Sequence, residues 1–132
     1  MNKIEARVKE IQNLDSLYIV TFEWSGVAVK MVSLDLDHTL KKGDNVILGI
    51  NFTSVALAKN FSGELSYTNQ IEAKVSEVDR GELLSIVMLS YAENILESLL
   101  LTESVDRLDV KAGDSVTMII KANDIFMLEV LS

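Results

Sequence analysis

The chain has 132 residues and a mass of 14.6 kDa, with 48% hydrophobic and 24% charged residues, a size that suits one ordinary domain. A formal net charge of −8 and a pI near 4.6 argue against a protein that grips nucleic acid by neutralising phosphates. The absence of cysteine and the single histidine exclude disulfides, thiolate metal sites and His-rich clusters. No apolar run reaches the roughly 18 to 20 residues of a membrane span, and the first residues lack a secretory pattern, so the expectation is a cytoplasmic protein without a membrane partner. The mean hydropathy of +0.25 is high for an acidic chain and points to burial between modules or subunits, hence to a homo-oligomer, dimer or trimer.

Residues 2–11 alternate apolar and polar side chains, the period of a half-buried strand, and the pattern returns at 69–78 with six of ten positions identical. Leu17–Trp24 and Leu83–Ser90 follow as second strands, each behind turn-forming residues. Ser25-Gly26 then leads into Val27–Val32. The corresponding stretch Ile95–Leu101 fits a strand by alignment with the first copy, while Ile95, Leu96, Leu99 and Leu100 also fit helical spacing. Thr102–Leu108 reads as a short capped helical turn. Lys111-Ala112-Gly113-Asp114 repeats Lys41-Lys42-Gly43-Asp44 and launches the strand Val116–Ile120, and Ile125–Leu131 closes the chain.

The first echo is offset by 67 residues and the second by 70, so three residues are absorbed between them. A period of this length suits a small closed module, so we expect two tandem modules, 1–60 and 61–132, joined by a tether around Gly63. Five short strands and a small helical turn per module predict an all-β fold of two OB-like five-stranded Greek-key barrels.

The candidate binding residues cluster where strands end. Lys121-Ala122-Asn123 can aim an ammonium, backbone N–H groups and an amide at one point, as a compact oxyanion requires. Its counterpart in the first copy, Asn51-Phe52-Thr53-Ser54, offers the hydroxyls of Thr53 and Ser54 without a cation. Ser66-Tyr67-Thr68-Asn69 is a second donor-rich segment, just ahead of the repeated first strand. Asp35 with Asp37, and Asp44 with Asp114, read as solvated turn residues, and His38 has no second histidine to form a metal site with. Trp24, Phe52, Phe61 and Phe126 are too scattered for a base-stacking platform and read as core or interface. Nothing resembles a nucleophile and base set, so no catalytic residue is assigned and an enzyme is not expected.

The runs Ser66 to Ile71, Ser104-Val105 with Leu108, Lys111 to Asp114 and Ile120 to Ile125 together resemble the TOBE/Mop module of molybdate-binding proteins. The first copy, with Leu40 to Asp44 and Thr53 to Lys59, is similar to the same module, so the chain looks like the tandem di-Mop arrangement. The resemblance implies binding of molybdate or tungstate at interfaces between modules or subunits, for storage, homeostasis or sensing, with no cofactor and no metal held except as the oxyanion. It carries the ligand contacts onto Ser66, Asn69, Lys121 and Ala122, with Ser104 as the remaining member of a Thr/Ser pair. Thr68 stands where the family has Arg, and Leu101 where it has Thr. The alternative is a ligand-free regulatory module that packs against a transporter or regulator partner.

Overall fold

The structure, a computed structural model, describes residues 1–36 and 39–132; Asp37 and His38, and the readings placed on them above, lie outside the described residues. The strands in chain order are β1 (Asn2–Leu14), β2 (Leu17–Trp24), β3 (Val27–Ser33), β4 (Asn45–Ile50), β5 (Ala56–Ala58), β6 (Asn69–Arg80), β7 (Leu84–Tyr91), β8 (Asn94–Leu101), β9 (Ser115–Ile120) and β10 (Ile125–Val130). One helix, α1 (Thr102–Leu108), follows β8, and 3₁₀ turns at Phe52–Ser54 and Ala122–Asp124 precede β5 and β10. The ambiguous stretch after Tyr91 is therefore a strand, in antiparallel register with β7. The helical spacing of its leucines reflects two burials at once: Leu96 faces the core, and the opposite face is half covered.

Both sequence echoes have a mechanical cause. β1 pairs with β4 through residues 2–7 and with β2 through residues 7–14, and a bulge between Val8 and Glu10 bends the strand so that one segment serves both partners. β6 carries the same bulge between Val75 and Glu77. The Lys-x-Gly-Asp turn docks onto each bulge: Val8 N–H donates to Asp44 O (2.9 Å) and Gly43 N–H to Val8 O (2.8 Å), matched by Val75 with Asp114 and Gly113 (both 2.8 Å). The Asp side chains accept the N–H of Lys41 and Lys111, each at 3.0 Å. Asp44 thus departs from the expected solvated turn residue: it is only 5% exposed, because its carboxylate completes the turn beneath the barrel end.

The two sheets run β10-β4-β1-β2-β3 and β5-β9-β6-β7-β8. Each half of the sequence supplies four strands to one sheet and its last strand to the other. Size complementarity encodes that exchange. In the first sheet Gly49 lies opposite Phe126, and a Cβ placed on Gly49 would come within 2.8 Å of the Phe126 ring and 3.0 Å of Leu128. In the second sheet the sizes invert, with Ile119 opposite Ala56. Had each half kept its own strand, Ala56 would meet Gly49 across a void and Phe126 would collide with Ile119.

The halves are related by a pseudo-two-fold axis, so residues 67 apart are equivalents. Trp24 and Tyr91 are such a pair and touch each other, with ring centroids 4.7 Å apart at 55°, which places them on the axis; the Tyr91 hydroxyl donates to Ser25 O at 2.6 Å. Two further equivalents, Asn2 and Asn69, each reach into the opposite barrel. Asn2 exchanges hydrogen bonds with both backbone groups of Glu97 (2.8 Å each), and Asn69 does the same with Lys30 (2.8 and 2.9 Å). One continuous apolar core runs through both barrels, built on Phe22, Trp24, Leu48, Leu89, Met118 and Ile125 among others. Of the other aromatic residues, Phe52 and Phe126 are half-buried, and Phe61 is exposed on the connecting segment and so is not part of this chain's core.

The three residues absent from the first copy map to α1, since the 67-residue offset holds through β3 and β8 and becomes 70 by Leu40 and Val110. The helix has no side-chain N-cap: the residue before it is Leu101, and the Thr102 hydroxyl bonds instead to Gly81 O (2.9 Å) and the Ser85 hydroxyl (2.7 Å). Its other end closes on Asp109 in the left-handed conformation (φ 53°). Arg80 clamps α1 to the β6–β7 hairpin through a bidentate pair with Asp106 (2.6 and 3.0 Å), and this hydrogen-bonding partner holds the Asp106 carboxyl below its ordinary range.

Lys59, one residue past β5, fastens the exchanged strand by donating to Asp114 (3.0 Å) and to Asp109 O (2.6 Å). The Asp114 carboxyl is held below its ordinary range, first by the Lys111 N–H and then by Lys59. A carboxylate whose folded pKa is depressed stabilises the fold above its unfolded pKa of roughly 3.9, and that contribution is lost as pH falls through the folded value. Lys59→Met is therefore expected to unfold at a higher pH than the parent on acid titration, followed by the fluorescence of Trp24. Coincident acid midpoints would show that the contact contributes nothing.

Candidate functional site

The register of two strands builds the site. Asn69, the first residue of β6, lies opposite Ile120, the last of β9, so the residues just before β6 and just after β9 must emerge side by side. Ser66, Tyr67 and Thr68 come from the first segment, Lys121, Ala122 and Asn123 from the second, and with Val32 of β3 they line a cleft of about 350 Å³. The two segments singled out independently in the sequence thus share one cavity, with a wall from the opposite barrel.

Each wall is held in place by backbone geometry. Lys121 is extended (φ −72°, ψ 140°) and leads into the 3₁₀ turn, which Asp124 N–H closes onto Lys121 O at 2.9 Å. The leading N–H groups of such a turn have no acceptor inside it. Lys121 itself is exposed and has no carboxylate partner among the described residues. Opposite it, Tyr67 O accepts the Gln70 amide at 2.6 Å, which fixes the turn into β6 and leaves the Ser66 and Thr68 hydroxyls at the cleft. The residues lining the cleft therefore carry one ammonium, an amide, three hydroxyls and turn N–H groups, a donor set suited to an anion with several acceptor oxygens.

Four of the residues selected from the sequence stand elsewhere. Asn69 is 1% exposed, and its amide is engaged with the Lys30 peptide, so it sets the position of β3 rather than facing the cleft. Thr53 and Ser54 lie in the 3₁₀ turn Phe52–Ser54, which packs beside β8 at the pseudo-equivalent place in the other half. There Asn51 and Phe52 occupy the positions of Lys121 and Ala122, so a bulky ring replaces a methyl group and the cation is gone. Ser104 sits on α1, which docks at the far end of β6 beside Arg80 and Asp106. Sequence reading missed Val32, and with it the contribution of the first barrel. The available signal was the pairing of Asn2 with Asn69 in the repeat, which marks two equivalent crossing points.

A larger groove of about 670 Å³ adjoins the cleft through Val32 and Asn123, along the open seam between β3 and β10. Among the described residues, no group of three or more His, Asp or Glu is placed to hold a metal ion, and no helix is long and apolar enough to cross a membrane.

Comparison with known proteins follows the same lines. Residues 65–127 match the TOBE domain. The fold is similar to a crystal structure of the cytoplasmic molybdate-binding protein ModG with molybdate bound, with a TM-score of 0.89 and 23% identity over 96% of this chain and 94% of that one. A molybdate-binding protein from Sporomusa ovata is 31% identical over 53% of this chain and all of its own, with a TM-score of 0.47. The molybdenum transport protein ModE of Herbaspirillum seropedicae is 35% identical over 85 residues, and the chain spans about a third of that relative's length (32%). Residues 65–127, from just before β6 into β10, therefore carry a TOBE domain, and the first half repeats its strand order.

Proposed function

We propose that this protein binds a tetrahedral oxyanion of the molybdate or tungstate class in the cleft between Ser66–Thr68 and Lys121–Asn123, as a cytoplasmic storage, homeostasis or sensing protein and not as an enzyme. The observation that carries this reading is the convergence of the two donor-rich segments, distant in sequence, on one cavity beside an unpaired ammonium. Lys121 supplies charge, Ser66, Tyr67 and Thr68 supply hydroxyls, and the turn at Ala122 and Asn123 supplies N–H donors and an amide. The relatives named for molybdate support the choice of anion.

The same reading makes the protein a homo-oligomer, dimer or trimer. The cleft is open on one side, and Ser104, on the far side of the second barrel, can add a hydroxyl only to a cleft of a neighbouring copy. Exposed leucines at the barrel ends, Leu14, Leu34, Leu83 and Leu101, each more than half accessible, offer apolar area for such contacts. Ligand binding would then favour assembly by mass action.

Calorimetric titration with molybdate, tungstate and sulfate tests the proposal. Heat is expected with the first two, and Lys121→Ala is expected to weaken binding by about tenfold or more, the loss of one charge-assisted hydrogen bond. Absence of heat with every anion would sink the proposal in favour of a ligand-free module regulating a transporter or other partner. Unchanged affinity in Lys121→Ala would move the site elsewhere.

A further inference from the structure

Lys121 alone is a thin counter-charge for a doubly charged anion in a chain of net charge −8. The opposite wall of the cleft carries a second candidate. On β3, Val29 and Met31 point into the core, so by strand alternation Lys30 and Val32 share the outer face, and Val32 lines the cleft. The Lys30 backbone is fixed from both sides by the buried Asn69 amide, and Asn69 is the residue directly after Thr68 of the cleft wall. Lys30 is half-buried and has no carboxylate partner among the described residues. The clasp thus fixes the backbone of Lys30 two residues from Val32 of the cleft wall, on the same face of β3, and a four-carbon stem gives its ammonium the reach to turn toward the cleft.

Pseudo-symmetry provides an internal control. The equivalent of Lys30 is Glu97, whose backbone is held in the same way by Asn2. Around the second-half cleft the paired positions are Lys30 and Lys121; around its counterpart they are Glu97 and Asn51, with Phe52 in place of Ala122. Both members of each pair differ in the same electrostatic sense, although neighbouring backbone geometry is conserved between the halves. The duplicated chain has thus placed two lysines at one crossing point and a glutamate and an asparagine at the other.

We infer that Lys30 is the second cation of the oxyanion cleft, contributed across the barrel interface, and that each chain holds one intrachain site at Lys30 and Lys121, not two. This rests on the oxyanion reading given above and extends it to a residue of the first barrel and to the stoichiometry. The Asn69 clasp then has a functional consequence: it positions a ligand-binding residue while touching no ligand.

Calorimetry with molybdate on the intact protein, Lys30→Met, Lys30→Arg and the remote surface variant Lys74→Met provides the test. The expected results are one intrachain site per chain, affinity about tenfold to a hundredfold weaker in Lys30→Met, recovery in Lys30→Arg, and no change in Lys74→Met. Raising the salt concentration should weaken the parent more than Lys30→Met, because screening acts on a charge the variant lacks, whereas a purely structural lysine would leave the salt response unaltered. Melting temperatures without ligand check that Lys30→Met is folded. Parent-like affinity in Lys30→Met, or two equal intrachain sites in the parent, would overturn the inference while leaving the oxyanion reading intact; an unresponsive parent would overturn that reading itself.

Discussion

A chain ending at Asp124 is expected to lose about 5 kcal/mol or more of stability, enough to put a fold of ordinary stability at or past its limit. The truncation removes only the last eight residues, yet it takes β10 out of the first sheet, exposing the edge of β4 and deleting the buried Ile125 along with the half-buried Phe126 and Met127. One buried Ile is worth about 2 to 5 kcal/mol, and the ladder to β4 and the partly buried neighbours add to it. Urea denaturation measures the loss, and hydrogen exchange locates it: β4 and β1, in the half distant in sequence from the cut, should lose protection first. A fraying confined to the second barrel would contradict the exchanged topology. A smaller change probes the same junction. Gly49→Val drives a branched side chain into Phe126 and Leu128 and should cost about 1 to 3 kcal/mol, whereas in the Phe126→Ala background, with only Leu128 left in the way, the cost should be smaller.

Local regularities of the fold were readable because they are repeated for local reasons. The alternation of Ile4, Ala6 and Val8 gives a half-buried strand wherever it occurs, and the Lys-x-Gly-Asp turn recurs because each bulge needs the same two backbone bonds and the same carboxylate. The strand exchange was not readable in this way. A fifth strand has the same alternation whether it completes its own sheet or the other, and the deciding information lies in pairs distant in sequence, Gly49 with Phe126 and Ala56 with Ile119. The helical spacing of Ile95, Leu96, Leu99 and Leu100 left that stretch open, and alignment with the first copy favoured the strand it forms; apolar residues on its outer face, Leu99 half-buried and Ile95 and Leu101 exposed, obscure the period of two.

The site was half legible. Ser66 to Thr68 and Lys121 to Asn123 stand out as donor-rich strand ends, and the pairing of Asn69 with Ile120 brings them together. Asn69 could not be separated from them by chemistry, because an amide that binds an anion and one that clasps a peptide are the same group. Only its depth in the structure distinguishes them. Val32 was signalled only indirectly, through the repeat of Asn2 and Asn69, because its place at the cleft exists through contacts between barrels.

That distinction makes Asn69 the most informative single position. Asn69→Ala leaves the Lys30 N–H and C=O without their partner in a part-buried setting, and an orphaned polar group costs about 1 to 3 kcal/mol, so a loss of about 2 to 4 kcal/mol is expected in the unliganded protein. Asn2→Ala should cost a similar amount through Glu97, despite lying away from the cleft. A residue serving only as a ligand donor would leave unliganded stability unchanged or raise it. Asn69→Asp sharpens the comparison. Its carboxylate still accepts the Lys30 N–H but faces the Lys30 carbonyl with no proton to give, and burial together with that repulsion disfavours the charged form. The folded-state pKa of the introduced acid is therefore raised above its unfolded value, so the variant is least stable, relative to the parent, above that folded pKa. As pH falls through it, the carboxyl gains the proton that restores the donor, and the deficit should shrink. Urea midpoints of parent and Asn69→Asp measured at neutral and mildly acidic pH would show the gap narrowing. A gap that stays constant or widens on acidification would mean that the Lys30 clasp does not carry the contact between the barrels.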